Sequence, residues 1–293
     1  MKNLSKKDCD KLLIGKTIAI TGSTGVLMSE VCKKLLTLGA NLLLLNRNET
    51  KTNIQIANLK ADYPNATIEY LPIDLEDMTS VKNAVEILKT RDIDILYLSA
   101  GAYNIPRHIC DTGFDNIFQI NFISHYYLAK ELLPYLKENA KIIAIGSIAH
   151  DYSKLDENDI DFRYQKKASR AYGNAKRFLM YSLYELAKRE KTNLSIAHPG
   201  VTLTDMTNHY PKAINWLVKI GIKLFFPSVK KASLSLVQAV LENTDYHEWI
   251  GPKIFNIWGN PTKKKLSTCT TIESEKIYNF AEKIYNEIKK NEK

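Results

Sequence analysis

Short, unbroken apolar runs alternate with stretches whose apolar residues return every three or four positions, and this alternation fills most of the chain up to Gly200. The runs predict strands at residues 17–21, 41–45, 67–73, 93–99, 141–147, 194–198 and about 253–257, with helices between them. Leu42-Leu43-Leu44-Leu45 and Ile142-Ile143-Ala144-Ile145 are apolar throughout rather than at every second position, so both faces of these strands meet apolar groups. Strands covered on both faces and joined by helices form a parallel sheet. The fold class is therefore α/β, a doubly wound parallel sheet in a single domain, with ligands expected beyond the carboxyl ends of the strands.

Composition narrows the picture by exclusion. With 45% hydrophobic and 25% charged residues in 293, the chain matches an ordinary soluble protein able to bury one core. No stretch of about 18 apolar residues and no apolar leader segment is present, so the expected compartment is the cytoplasm. Cys9, Cys32, Cys110 and Cys269 fit no metal or redox spacing and read as idle thiols. The net charge of +9 comes from dispersed lysines and patches such as Lys263-Lys264-Lys265; with no nucleic-acid motif beside it, it reads as solvated surface.

Two pieces carry chemistry. Thr21-Gly22-Ser23-Thr24-Gly25, running into Val26 and Leu27, joins the first strand to the first helix, where main-chain N–H groups and the helix dipole favour a pyrophosphate; a tight turn with no ligand is the plainer reading. Four tyrosines carry a lysine four residues later: Tyr126/Lys130, Tyr172/Lys176, Tyr184/Lys188 and Tyr285/Lys289. Only Tyr172 follows a strand ending in a hydroxyl residue, Ser147, and only it is followed by the small residues Gly173 and Ala175, read as room for a cofactor. The other three read as helix-surface pairs. A phenol gives up a proton readily at neutral pH when a nearby cation stabilises its anion, and Lys176 shares its helix face.

The ordered set of motifs resembles the short-chain dehydrogenase/reductase family, nearest in pattern to its retinol-dehydrogenase-like members. The set is the Thr21-Gly22 turn, Asp74-Leu75, Ala100-Gly101, Asn121, Ser147, Tyr172 with Lys176, and Pro199-Gly200-Val201 followed by Thr204. The resemblance implies a Rossmann fold over residues 16–260, preceded by an extension (1–15) and followed by a basic segment and helix (261–293). It implies catalysis by Asn121, Ser147, Tyr172 and Lys176. Tyr172 would donate the proton, Ser147 would bond the substrate oxygen, Lys176 would lower the tyrosine pKa and hold the nicotinamide ribose, and Asn121 would support a water-linked relay. The remaining residues of the set would bind the nucleotide. The 25 positions between Ser147 and Tyr172 resemble the insertion of members that act on bulky apolar substrates.

At the end of the second strand Arg47 stands without an acid in Leu45-Asn46-Arg47-Asn48, which favours NADP(H) over NAD(H) through the 2′-phosphate. Asp74 would read the adenine amino group, or else cap the helix near Met78. The sequence departs from the family pattern at Val26 and Met28 in the turn and at Leu98-Ser99 before Ala100. The expected activity is interconversion of an alcohol and a carbonyl on a small, fairly apolar substrate. The alternatives are a non-catalytic nucleotide-binding regulatory module and a nucleotide-sugar epimerase or dehydratase. Residues 205–228 would form a lid over the pocket; a second reading lays the apolar face of residues 212–226 on a membrane surface. Tyr126, Tyr127, Tyr181 and Tyr184 lie on helices that often pair subunits in the family, which points to a homo-oligomer.

Overall fold

The computed structural model describes residues 12–201 and 227–290. Thr204, nearly all of the expected lid and the 212–226 face lie outside the described residues. Strands β1 (Thr17–Thr21), β2 (Asn41–Asn46), β3 (Ile68–Pro72), β4 (Ile95–Leu98), β5 (Lys141–Ile145), β6 (Asn193–Ala197), β7 (Glu248–Ile254) and β8 (Trp258–Lys265) form one sheet. Its order is β3-β2-β1-β4-β5-β6-β7-β8, parallel except for the last pair. The helices are α1 (Val26–Thr37), α2 (Glu49–Asp62), α3 (Met78–Leu88), α4, α5 (Ala168–Glu190), α6 (Val229–Leu241) and α7 (Thr271–Lys290). Helix α4 is a composite, passing from Asn116–Phe118 through a π-helical turn at Gln119–Ile123 into Ser124–Leu132.

The unbroken apolar runs explain the layers. Leu42 and Leu44 join the core layer that holds Val31 and Leu35 of α1 and Leu236 of α6. Leu43 and Leu45, pointing the other way, join Val85 of α3, Phe122 of α4, Phe178 of α5 and Ile277 of α7. Local chemistry sets the helix starts. Asn48 caps α2 by accepting from Lys51 N at 2.8 Å, and Ser228 caps α6. The cap of α3 is Asp77, not Asp74: Asp77 Oδ1 accepts from Thr79 N at 2.8 Å, while Asp74 Oδ1 accepts from Glu76 N at 3.0 Å within its own turn.

The C-terminal part departs from expectation. A strand expected at 253–257 is instead a hairpin, and the boundary expected at 260 falls inside β8, whose lysines pair with β7 in the register Ile250↔Lys263, Trp249↔Lys264 and Glu248↔Lys265. Lysine is a poor strand former in the interior of a sheet, but at an edge it keeps its charge in water and discourages further pairing.

Helix α7 then folds back over α4 and α5. Tyr126 Oη donates to Glu282 at 2.6 Å, Lys130 pairs with Glu282 at 3.2 Å, and the Tyr127 and Tyr285 rings lie 5.6 Å apart. Tyr285, Lys289 and Lys89 converge on the buried Glu131. Tyr126, Tyr127, Tyr181 and Tyr184 are therefore buried in the chain's own core, the first two against α7. The three tyrosine–lysine pairs read as surface decoration are likewise fasteners: Tyr184 donates to Glu248 O, and the other two hold α7.

Arg177 of α5 anchors the start of α7. Its Nε and Nη2 donate to Glu273 at 2.7 and 2.9 Å, and Nη1 donates to His150 O at 2.8 Å. Replacing Arg177 by Ala strands both acceptors, so we expect Arg177→Ala to lower unfolding free energy by about 2–3 kcal/mol in urea denaturation. A loss below about 0.5 kcal/mol, the level of an exposed ion pair, would contradict this anchoring role.

Candidate active site

All the residues singled out as candidates that are described stand beyond the carboxyl ends of the strands. Thr21 closes β1, and its buried hydroxyl accepts from the N–H groups of Ser99 and Ala100 at 2.9 and 3.0 Å, tying the end of β1 to the end of β4. Ser99 in turn donates to Thr21 O, so the serine that replaces an amide residue keeps this junction bonded. Gly22 has φ +70°, and a Cβ there would lie 2.7 Å from Ala100 Cα, so only glycine fits. Ser23 is turned inward: its Oγ donates to Gln55 Oε1 and accepts from Asn46 Nδ2, both at 2.8 Å. It shapes the turn from beneath rather than facing a ligand. Gly25, Val26, Thr24 and Leu27 form the open lip.

Gly25 is the N-cap of α1, with no side-chain cap and no acid in the first turn, and nothing lies nearer than 3.6 Å to a Cβ placed on it. The first N–H groups of α1 are left for an anion that can come close, which is what a dinucleotide pyrophosphate requires. Met28 does not obstruct this cradle. It is buried in the core layer with Val31, Cys32 and Leu35, where it occupies space beneath the helix.

At the ends of β2 and β3, Arg47 is exposed and is not free of acids in space. Its Nη1 lies 3.8 Å from Asp74 Oδ1 and 3.5 Å from Glu76 Oε2. Leu75 points into the core, and its carbonyl accepts from Ser124 at 2.5 Å. Glu76, His108 and Cys110 offer donor atoms within 4.8 Å of one another. Both Glu76 oxygens are already engaged, one by His108 Nε2 at 2.8 Å and the other facing Arg47. Burial and the surrounding carboxylates push the Cys110 thiol up to about 12. Pro199 and Gly200 follow β6; Gly200 has φ +85° and fits closely against Ile257 O, and Val201 is half-buried beside it.

The catalytic candidates converge. Asn121 lies in the π-helical turn of α4, a deviation that re-aims side chains. Its Nδ2 donates to Ala102 O and Ile117 O at 2.8 Å each, and Oδ1 accepts from Ala102 N at 3.2 Å. A Cβ on Gly101 would lie 2.8 Å from Asn121 Oδ1 and 3.8 Å from Lys176 Nζ, which brings these three residues together. Lys176 Nζ donates to Ile145 O at 3.1 Å and lies 5.7 Å from the centre of the Tyr172 ring. Burial pulls the Lys176 ammonium down to about 8, so it remains predominantly charged at pH 7. Burial pushes the Tyr172 phenol up to about 12, opposed by its hydrogen bond with Ser147. Desolvation by burial is the larger influence on the phenol in this arrangement.

Gly173 serves packing and not cofactor approach. A Cβ there would sit 2.1 Å from Ala149 O, and Ala175 is wholly buried in the core. Beside Tyr172 an apolar wall forms from Ile117, Ala149, Phe162 and Ala171, flanked by Tyr103 and Ile105. Phe162 comes from the polar insertion, which is bonded down. Asp161 accepts from Asp115 N at 2.7 Å, Arg107 Nη2 donates to Phe162 O at 2.7 Å, and Asn174 donates to Ile160 O at 2.6 Å.

Several supporting residues escape sequence reasoning. His150 Nδ1 meets Ser147 O at 2.6 Å and Nε2 meets Thr268 Oγ1 at 2.7 Å, fixing the turn that carries Ser147. His125 lies 3.2 Å from Thr21 Oγ1, and burial holds it near 3 and therefore neutral. Asn46 and Gln55 support Ser23 from distant positions. A histidine within an apolar stretch was the only available signal.

A profile of the short chain dehydrogenase family matches residues 16–215. The chain belongs to this family. It is 29% identical over 227 residues to mouse retinol dehydrogenase 12, covering 75% of this chain and 70% of that protein. It is 26% identical over 218 residues to human polyprenol dehydrogenase, covering 70% of this chain and 65% of that protein. An uncharacterized protein from Mycobacterium paratuberculosis superposes with a TM-score of 0.74 at 18% identity over 97% of both chains. A Burkholderia cenocepacia short chain dehydrogenase in complex with NADP superposes at 0.59, with 20% identity over 79% of this chain and 92% of that one. One from Burkholderia phymatum in complex with NAD superposes at 0.58, with 15% identity over 78% and 87%. The chain is thus an oxidoreductase-family member with a nucleotide-binding fold.

The Lys176 environment makes a stability prediction. A folded-state pKa lowered to about 8 from an ordinary 10.5 means the charged lysine opposes folding below pH 8, and this penalty fades as pH rises toward 10.5. Lys176→Met should therefore be more stable than the native protein at pH 7 by about 2–3 kcal/mol, the difference shrinking by pH 10. Urea melts across that range test it; a pH-independent difference contradicts it.

Proposed function

We propose that the protein interconverts an alcohol and a carbonyl on a fairly apolar substrate, using NADP(H), with Tyr172 as general acid and base. The observation that carries this reading is the gathering of Lys176 5.7 Å from the Tyr172 ring, with Asn121 and Gly101 beside the lysine and Ser147 on the turn after β5, at the same ends of the strands as the Gly22 turn. A bound nucleotide would supply or accept the hydride; Thr21 and Gly22 would shape its cradle, the N-terminus of α1 would hold its pyrophosphate, and Arg47 would pair with its 2′-phosphate. In reduction, Tyr172 gives its proton to the carbonyl oxygen as charge develops there, and Ser147 donates a hydrogen bond to the same oxygen. The Lys176 ammonium favours the phenolate left behind, and a water at Asn121 returns the proton. Alcohol oxidation runs these steps in reverse, with the phenolate accepting the hydroxyl proton.

The apolar wall around Tyr172 supports an apolar substrate, as do the names of the retinol and polyprenol dehydrogenases to which the chain is similar. We place the reaction in the cytoplasm, at or near a membrane face where such a substrate collects. No described helix is long and apolar enough to cross a membrane.

Tyr172→Phe deletes the proton donor and keeps the ring, so turnover should fall by roughly 10²–10⁴-fold with NADPH binding nearly intact. Near-normal turnover in the purified variant would sink the assignment. Arg47→Ala should weaken NADPH at least about tenfold and NADH little, because the charge-assisted contact exists in one complex only. Fluorescence titration with both nucleotides measures this, and equal losses would remove the 2′-phosphate reading.

A further inference from the structure

We propose that Glu76 is a cofactor-specificity residue: a fixed carboxylate that opposes the attraction of Arg47 for a 2′-phosphate and makes the preference for NADP(H) shallow. The inference rests on the reading of Arg47 given above and goes beyond it. Arg47 projects from the end of β2 with 66% of its side chain exposed, and its Nη1 lies 3.5 Å from Glu76 Oε2. A phosphate that pairs with this guanidinium comes within a few ångströms of the carboxylate. Like charges at that separation repel, and the water around the exposed Arg47 screens the effect to a modest size.

The two side chains differ in their freedom to respond. Glu76 is pinned on every side. Its N–H donates to Asp74 Oδ1 at 3.0 Å, its carbonyl accepts from Gln119, and its Oε1 faces His108 Nε2 at 2.8 Å and Asn116 Nδ2 at 3.3 Å. Its side chain is 21% exposed, against 66% for Arg47. Arg47 can swing to a ligand, whereas Glu76 stays and presents its charge to whatever Arg47 holds. Asp74 adds a second carboxylate 3.8 Å from Nη1, so one guanidinium already stands between two acids.

His108 moderates the effect. Asn116 Nδ2 lies 3.2 Å from His108 Nδ1, and the same amide nitrogen lies 3.0 Å from Pro106 O. With its proton on Nε2, the ring donates to Glu76 Oε1 at 2.8 Å while Nδ1 faces the Asn116 amide. This bond draws carboxylate charge away from the nucleotide side.

Affinities for NADPH and NADH, measured by fluorescence titration at one low ionic strength, test the assignment with two variants of opposite sign. Glu76→Gln keeps the shape and the acceptor for His108 while removing the charge; NADPH should tighten about five- to tenfold, with NADH within twofold. His108→Ala, at an exposed position that folding tolerates, removes the moderating donor; NADPH should weaken about two- to fivefold, again with little change for NADH. An NADPH-to-NADH ratio in Glu76→Gln that stays at the native value overturns the proposal, as does tighter NADPH binding by His108→Ala. Arg47→Ala run alongside separates the two readings. Equal loss of both nucleotides removes the 2′-phosphate contact and this inference with it, whereas selective loss of NADPH with an unmoved Glu76→Gln ratio removes only the role of Glu76.

Discussion

Helix α5 approaches the turn after β5 so closely that Gly173 cannot carry a side chain; a Cβ would lie 2.1 Å from Ala149 O. That contact sets the distance between the two segments bearing the reactive groups, Ser147 on the turn and Tyr172 and Lys176 on the helix. The turn is held from its other side by His150, whose ring bonds Ser147 O and Thr268, and by Arg177, which reaches His150 O and Glu273. Packing, not flexible loops, positions the turn and the helix that carry the hydroxyl and the phenol.

Burial also decides the electrostatics. Desolvation raises the Tyr172 phenol and lowers the Lys176 ammonium, so the native fold holds a phenol reluctant to ionise beside an amine that stays charged at pH 7. At pH 7 only the charged lysine opposes folding, because the phenol is neutral in the folded and unfolded states alike. At the other end of the cleft, Arg47, Asp74, Glu76 and His108 form an exposed charge cluster whose balance is set by which members are free to move.

The C-terminal segment gives this chain its particular form. Helix α7 packs on α4 through Glu282, Tyr285 and Lys289, and its first turn is bound to Arg177 of α5, one residue after Lys176. Closure of the core and placement of the reactive helix are therefore parts of one network.

The sequence by itself determined the parallel sheet, and it pointed to residues that stand at the ends of its strands. Unbroken runs such as Leu42–Leu45 admit burial on both faces, and Gly22 before a helix admits the turn it forms; these are local signals of periodicity and sterics. Family resemblance, carried by Asn121, Ser147, Tyr172 and Lys176 in order, then named the chemistry. Only the tertiary structure decided the rest, because it depends on groups far apart in the chain. Lys263–Lys265 is a solvated patch that also forms an edge strand on β7, and Met28, a departure from the family's turn, is received by the core. Arg47 looks free of acids along the chain, yet Asp74 and Glu76 lie beside it because neighbouring parallel strands bring the ends of β2 and β3 together.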